Sequence, residues 1–354
     1  MKTKLIDHYI AKQILMMILV VLLVLSGLDS VFTLISELDN LAPHYHASQA
    51  MIFVLASTPS TLYEFIPVAT LIGCLLALGN LANNSELIVM RAAGISVFGI
   101  IGRVLKPVIG LVIVSLLAGQ FLIPLTEHFA QSYRELKLGG GSVFRVKHGN
   151  WQRQGDEFIH IDTIAPNGVI HGITRYRFSG EQLQEMSFSK QAQFSGKEWL
   201  MENQQRYELN NSRVEIHQWP QAVWRSQLTP EILELVVLKP EHLSITGLYR
   251  YADYMQQQGL RYLPYLLAFW KKVSQPLATL VMVLVAASFI FGPLRSVTMG
   301  LRMMVGLMAG LCFKYLQEFL SFASIVFNIQ PWVASLVPIM IFAVLGFWLL
   351  RRVK

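Results

Sequence analysis

The chain has 354 residues, of which 53% are hydrophobic and only 14% charged, with a formal net charge of +7. That balance excludes a soluble enzyme and a disordered chain. From Glu127 to Arg261 there are 15 Lys/Arg and 15 Asp/Glu, so the central block is neutral and carries no basic excess with which to bind nucleic acid.

Six apolar stretches reach the roughly 20 residues that a helix needs to cross hydrocarbon. They lie at about 10–35, 51–79, 97–124, 264–292, 300–326 and 332–350. Three precede the neutral block and three follow it. The expected fold is an α-helical membrane protein of six transmembrane helices, three plus three, with an inserted all-β domain. The divisions fall at residues 1–126, 127–262 and 263–354. The N-terminal apolar run is too long for a cleaved signal peptide and has no small-residue cleavage site before Glu37.

Charge sets the orientation. Lys2, Lys4 and Lys12 precede the first span, Arg91, Arg103 and Lys106 flank the second connection, Arg295 and Arg302 the fourth, and Arg351, Arg352 and Lys354 end the chain. The first and fifth connections hold no Lys or Arg. The positive-inside rule then predicts cytoplasmic termini and a periplasmic central block. Cys74 and Cys312 fall in apolar spans, so no disulfide supports that block and a hydrophobic core must.

The second connection is apolar yet too short to span. Asn or Ser85 can cap a helix, Glu86 suits its first turn, and Gly94 is a natural stop. A short helix there buries Leu87 and Met90 either in lipid headgroups or in a protein groove, with Glu86 and Arg91 at its ends.

The central block alternates with period two. Phe158 to Asp162, Val169 to Phe178, Met186 to Ala192, Trp199 to Tyr207 and Arg213 to Trp219 read as strands, separated by turns such as Pro166-Asn167-Gly168 and Asn210-Asn211-Ser212. Short strands at regular spacing predict a sandwich or jelly roll. Trp151, Phe158, Tyr176, Phe178, Phe188, Trp199 and Trp219 are its expected large core members, and an open roll would offer the same residues to a greasy ligand. Gly139-Gly140-Gly141-Ser142 is a hinge candidate between the third span and this block.

No phosphate-binding loop, H-E-x-x-H motif or Cys-pair spacing occurs. His44 and His46 lack a carboxylate partner at fixed spacing and read as loop histidines. No catalytic residues, cofactor or metal are expected, and any work needs an energy source in a partner.

Ser85-Glu86-Leu87-Ile88-Val89-Met90-Arg91-Ala92-Ala93-Gly94 resembles the coupling helix of the LptF/LptG permease family. Ser288 to Gly300 resembles the loop after the fourth span in the LptG branch, and Leu228-Thr229-Pro230-Glu231 and Leu243-Ser244-Ile245 also fit. The likeness runs from Asp7-His8-Tyr9-Ile10 to Leu349-Leu350-Arg351-Arg352. It implies a permease subunit of a lipopolysaccharide exporter in the inner membrane. The implied partners are a related permease (LptF), a cytoplasmic ATPase dimer (LptB), a periplasmic jelly-roll bridge protein (LptC) and lipopolysaccharide. Ser85, Glu86, Leu87, Met90 and Arg91 would then meet the ATPase. Another envelope lipid or lipoprotein exporter is the nearest alternative, but such subunits often have four spans with the domain after the first.

Lipopolysaccharide is polyanionic, so basic residues near the outer boundary become phosphate candidates. Arg134 and Lys137 end the third span, and Arg134 matches a basic position of the family. Lys271 and Lys272 stand beside Trp270, where snorkelling is the competing use. Lys314 and Glu318 share a helix face inside the fifth span, and either neutralise each other or line a lipid cavity. Asp29, Glu37 and Asp39 replace the basic residues that the family presents near the outer end of its first helix.

Overall fold

The computed structural model describes residues 2–42, 45–138, 145–164, 169–180, 182–210, 213–226, 228–230, 233, 239–292 and 297–352. The expected turn at 166–168, the hinge at 139–142, and His44, Ser212, Glu231, Arg295 and Lys354 lie outside the described residues.

Six helices are long and apolar enough to cross a membrane. Helix α1 spans Lys2–Leu38 and α2 Ala47–Asn83, with short α3 at Glu86–Ala92. Helix α4, Val97–Leu117, passes through a π turn, Ala118–Leu122, into α5, Ile123–Leu138. After the strands come amphipathic α6, Ile245–Gln257, and then α7 (Leu263–Phe291), α8 (Met299–Phe327) and α9 (Pro331–Arg351).

Helix α2 is the hub. It is mostly enclosed, whereas α1 and α8 each leave a long apolar side outward. Pro67 lies inside α2 and cannot donate to the carbonyl four residues back. That carbonyl belongs to Tyr63, and Gln275 of α7 supplies the missing donor at 2.7 Å. The π turn in the third span has a comparable use. It brings Gly119 against the Tyr63 ring, where a Cβ would lie 3.0 Å away, and Gln120 grips the start of α6 through Thr246 and the Ile245 N–H.

The strands are β1 Arg145–Gln154, β2 Glu157–Ile164, β3 Ile170–Ser179, β4 Gln182–Phe194, β5 Trp199–Asn210 and β6 Arg213–Trp224. All pair antiparallel in sequence order, a six-stranded meander. Ser226, just past β6, donates to the Gln154 side chain at the end of β1 at 2.9 Å, which ties the chain leaving the last strand to the end of the first.

The expected core needs correction. Ile159, Ile161 and Ile173 point inward with Trp199, Met201 and Trp224, and are closed off by Leu228, Leu233, Tyr251 and Tyr254. Trp151, Phe158 and Trp219 are instead exposed, and Tyr176, Phe178 and Phe188 only half-buried. Strand alternation puts Phe158 and Ile159 on opposite faces. Both faces are apolar here, and the isoleucine face took the core. The buried phase of β4 also changes, from 185, 187 and 189 to 192. The pairs His171–Gln191 and Ile173–Ser189 flank Gly172 and Lys190, Phe188–Gln205 and Gln191–Glu202 flank Lys190 and Asn203, and Gly172 and Asn203 have φ of 65° and 50°. A positive φ in a strand bends it locally, and the change of buried phase in β4 falls at this row.

Candidate functional site

A cavity of about 420 Å³ opens between α2, α7 and α8, below the turn Pro240–His242. Glu64, Lys271, Lys272, Lys314 and Glu318 line it, with apolar wall from Val68, Leu267 and Phe313. Three of the predicted lipid-binding residues therefore converge, from helices far apart in sequence.

Their surroundings differ. Lys314 pairs with Glu64 of α2 at 2.9 Å and lies 4.8 Å from the Phe65 ring centre. Its ion pair is thus with α2, a partner the i,i+4 reading missed, while Glu318 joins the same wall. Lys272 is buried and donates to the Leu243 carbonyl at 2.6 Å, so it ties α7 to the turn above. Lys271 lines the cavity with no ion-pair partner among the described residues.

The cavity roof holds a polar knot. His242 Nδ1 lies 3.1 Å from Ser60 Oγ and 3.7 Å from Glu127 Oε1. Both approach the same ring nitrogen, so this is not the relay of a hydrolytic triad, which uses the two nitrogens separately. Burial pushes the His242 imidazole below its usual range, and it is neutral at pH 7.

The other two predicted residues lie elsewhere. Arg134 Nε meets Glu37 at 2.8 Å, and the Tyr45 hydroxyl donates to the same carboxylate at 3.0 Å. Burial and that neighbouring carboxylate raise the Tyr45 phenol, which stays protonated. Glu37, at the acidic end of the first helix, is thereby matched to Arg134. Lys137 sits 5.9 Å from the Tyr133 ring centre.

At the opposite end of the helices, α3 ends as expected. Gly94 has φ 86°, its N–H donates to Arg91 O, and the Ile95 N–H donates to Met90 O. These two bonds make a Schellman stop. Its start differs from expectation, because Ser85 is left-handed at φ 60° and its side chain caps nothing. Leu87 and the half-buried Met90 anchor α3 to the bundle. Ile88, Val89 and Arg91 face outward, and Glu86 accepts from the Tyr9 hydroxyl at 3.1 Å. Nearby, Asp7 takes Arg103 at 2.9 Å and Lys106 at 2.6 Å.

The profile of the lipopolysaccharide export system permease LptF/LptG family matches residues 8–352. The chain belongs to that family. It is 35% identical over 350 residues to the lipopolysaccharide export system permease protein LptG of Haemophilus influenzae, covering 98% of each chain. It is 34% identical over 351 residues to the LptG of Escherichia coli K12, again with 98% of each covered. Alignment end to end places both the cavity and α3 inside the LptF/LptG match.

Sequence reasoning missed Glu64, Glu127, His242 and Arg302. Glu64 had a usable signal, since a carboxylate in an apolar span requires a partner, whereas Glu127 lies just past the end of the third apolar stretch. Arg302, fully buried in the first turn of α8, reads in sequence as an ordinary flanking charge.

Proposed function

We propose that this chain is a permease subunit of a lipopolysaccharide exporter in the inner membrane of a Gram-negative cell, with cytoplasmic termini and a periplasmic sheet. The full-length relation to LptG proteins carries the reading. A related permease completes the membrane unit, and a cytoplasmic ATPase dimer seated on α3 supplies the energy. Leu87 and Met90 hold α3 in place while Ile88, Val89 and Arg91 present its outer side. Lipopolysaccharide is drawn from the membrane, its phosphates meeting Lys271 and Lys314, and passes to a periplasmic bridge protein. The meander serves as the jelly-roll-like element of that route. Arg134, already matched by Glu37, orders the end of the third span next to it. The supporting features are an amphiphilic cavity with a cation on its wall and a short apolar helix whose outer side is bare.

The test is capture of the tagged full chain in mild detergent, with identification of what accompanies it. A sister permease, an ATPase and lipopolysaccharide are expected. Recovery of the assembled complex with a different lipid or lipoprotein, and with no lipopolysaccharide, would overturn the substrate.

A further inference from the structure

Arg302, Gly306, Gly310 and Lys314 recur every four residues, so they share one face of α8. The whole face lies on α2. Arg302 is 1% exposed, and its Nη1 donates to Gly79 O at 2.9 Å and to Asn83 Oδ1 at 3.0 Å. A Cβ on Gly306 would come 2.6 Å from Leu75 Cδ1, and one on Gly310 would come 2.7 Å from Val68 Cγ1. Lys314 closes the row on Glu64. Fastenings thus run from Asn83 back to Glu64, roughly 28 Å of helix at 1.5 Å per residue.

The two ends of this row meet different parts of the protein. Asn83 is the last residue of α2, and α3 begins at Glu86. Lys314 stands in the cavity wall. Sliding α8 along α2 would drive the Gly306 backbone past the Leu75 side chain, and would strip a buried guanidinium of two acceptors. Packed interfaces of this kind hold one arrangement or jump to another; they do not drift. The second tie near α3, Asp7 with Arg103 and Lys106, is partly exposed and correspondingly weaker.

We propose that α2 and α8 move as one lever, and that Arg302 is the positioning residue fastening its α3 end. A displacement of α3 then reaches the Lys314 wall of the cavity undiminished. The inference rests on the reading of α3 as the ATPase contact.

The experiment uses the assembled complex in nanodiscs, with spin labels at Ala93, the residue that ends α3, and Met308 on α8 in a Cys312→Ser background. Both labelled positions are exposed and neither belongs to the proposed ATPase contact. The inter-label distance is expected to be the same with and without trapped nucleotide. A shift of about 5 Å in the otherwise wild-type complex, one helical turn of sliding, would overturn the lever. Arg302→Ala is expected to lower lipopolysaccharide release about tenfold while hydrolysis stays within about twofold, the signature of lost coupling and not of lost folding. Arg302→Lys should recover about half of the release, because an ammonium reaches one of the two acceptors.

Gly79→Ala places a Cβ 2.8 Å from Nη1 and should reproduce Arg302→Ala with the charge retained, which covers failure of Arg302→Ala to assemble. Wild-type export by assembled Arg302→Ala or Gly79→Ala complexes would overturn the role of Arg302. Wild-type export by Glu86→Ala and Glu86→Lys would withdraw the α3 reading instead, with the label distance still deciding whether the two helices move together.

Discussion

The sheet and the membrane cavity both hold charge of both signs, and they treat it differently. In the sheet the charges form a closed chain across β2 to β5. Glu157 meets Arg175 at 2.9 Å and also binds Arg177, which reaches on to Glu185 at 3.0 Å. Glu185 takes Arg206 at 2.9 Å, and Arg206 lies 3.8 Å from Glu208. Each of the two central carboxylates has two guanidinium partners. The chain in the cavity is short and open, with Lys314 on Glu64 and Lys271 lining the same cavity without an ion pair among the described residues. Neighbouring partners that close on one another build structure, whereas a cation held at the edge of an apolar space is available to a ligand. Variants in the two regions should therefore separate into losses of export and losses of stability.

The largest effect belongs to the cavity. Lys314→Glu sets a third carboxylate beside Glu64 and Glu318, and should reduce export by about a hundredfold, with Lys314→Arg far milder because the charge is kept. The decisive comparison adds Glu64→Lys to Lys314→Glu. The exchange rebuilds an ion pair with its poles reversed, so assembly should return while export does not. Full recovery of export by the exchanged pair would make Lys314 purely structural and erase the contrast with the sheet.

Glu185→Ala should do the reverse. It takes one carboxylate from both Arg177 and Arg206, which keep Glu157 and the more distant Glu208, so the cost to the sheet is about 1–2 kcal/mol, below that of breaking a buried pair because both guanidiniums are partly exposed. Thermal unfolding of the complex, followed by tryptophan fluorescence, reads this directly. Export should fall only as far as folding does and recover on cooling. Export lost at temperatures where the sheet is intact would place the ladder on the lipid route.

The sequence showed the spans, the strands and the α3 stop because each is written locally: apolar length, period two, a glycine after a short helix. It was less explicit where two local rules competed. Phe158 and Ile159 are both apolar neighbours in one strand, and nothing local says which face wins. The phase change along the Gly172, Lys190 and Asn203 row is carried by three strands together, and only Gly172 flags it in sequence. Helix α6 was legible and missed: Ser244 caps it by accepting from the Gly247 N–H, and Leu248, Tyr251 and Ala252 repeat on its buried face. The partners of charges were the least legible. Lys314 has Glu318 at i+4 but pairs with Glu64 on α2, and Arg134 pairs with Glu37 on α1. Local spacing gives candidates, and helix packing chooses among them.

The sheet should also lose stability in acid. Burial opposes ionisation of Glu157, but Arg175 and Arg177 more than offset it and hold the carboxyl below the usual glutamate range. A carboxyl whose folded value is depressed contributes stability that is full above its unfolded value and drains away as pH falls through the folded one. The unfolding temperature of the complex should therefore drop on going from neutral pH to below about pH 4.5, the unfolded glutamate range, and Glu157→Gln should flatten that slope while lowering the neutral-pH value. An unchanged slope in Glu157→Gln would show that the ladder is not titrating.

The smallest effect is the most specific test of the open end. Lys271 has no ion pair to lose among the described residues, so Lys271→Gln leaves no stranded carboxylate and should leave the unfolding temperature unaltered. If its ammonium meets phosphate, export should fall about threefold to tenfold, the worth of one charge-assisted contact at a partly hydrated wall. Lys271→Arg should retain export, and Lys271→Glu should fall below Lys271→Gln because it repels the same phosphate. Graded loss in the order Arg, Gln, Glu at constant stability is the signature of a ligand contact. A lysine that merely snorkels beside Trp270 predicts equal export for Arg and Gln, and that result would leave the cavity with no free cation to set against the sheet.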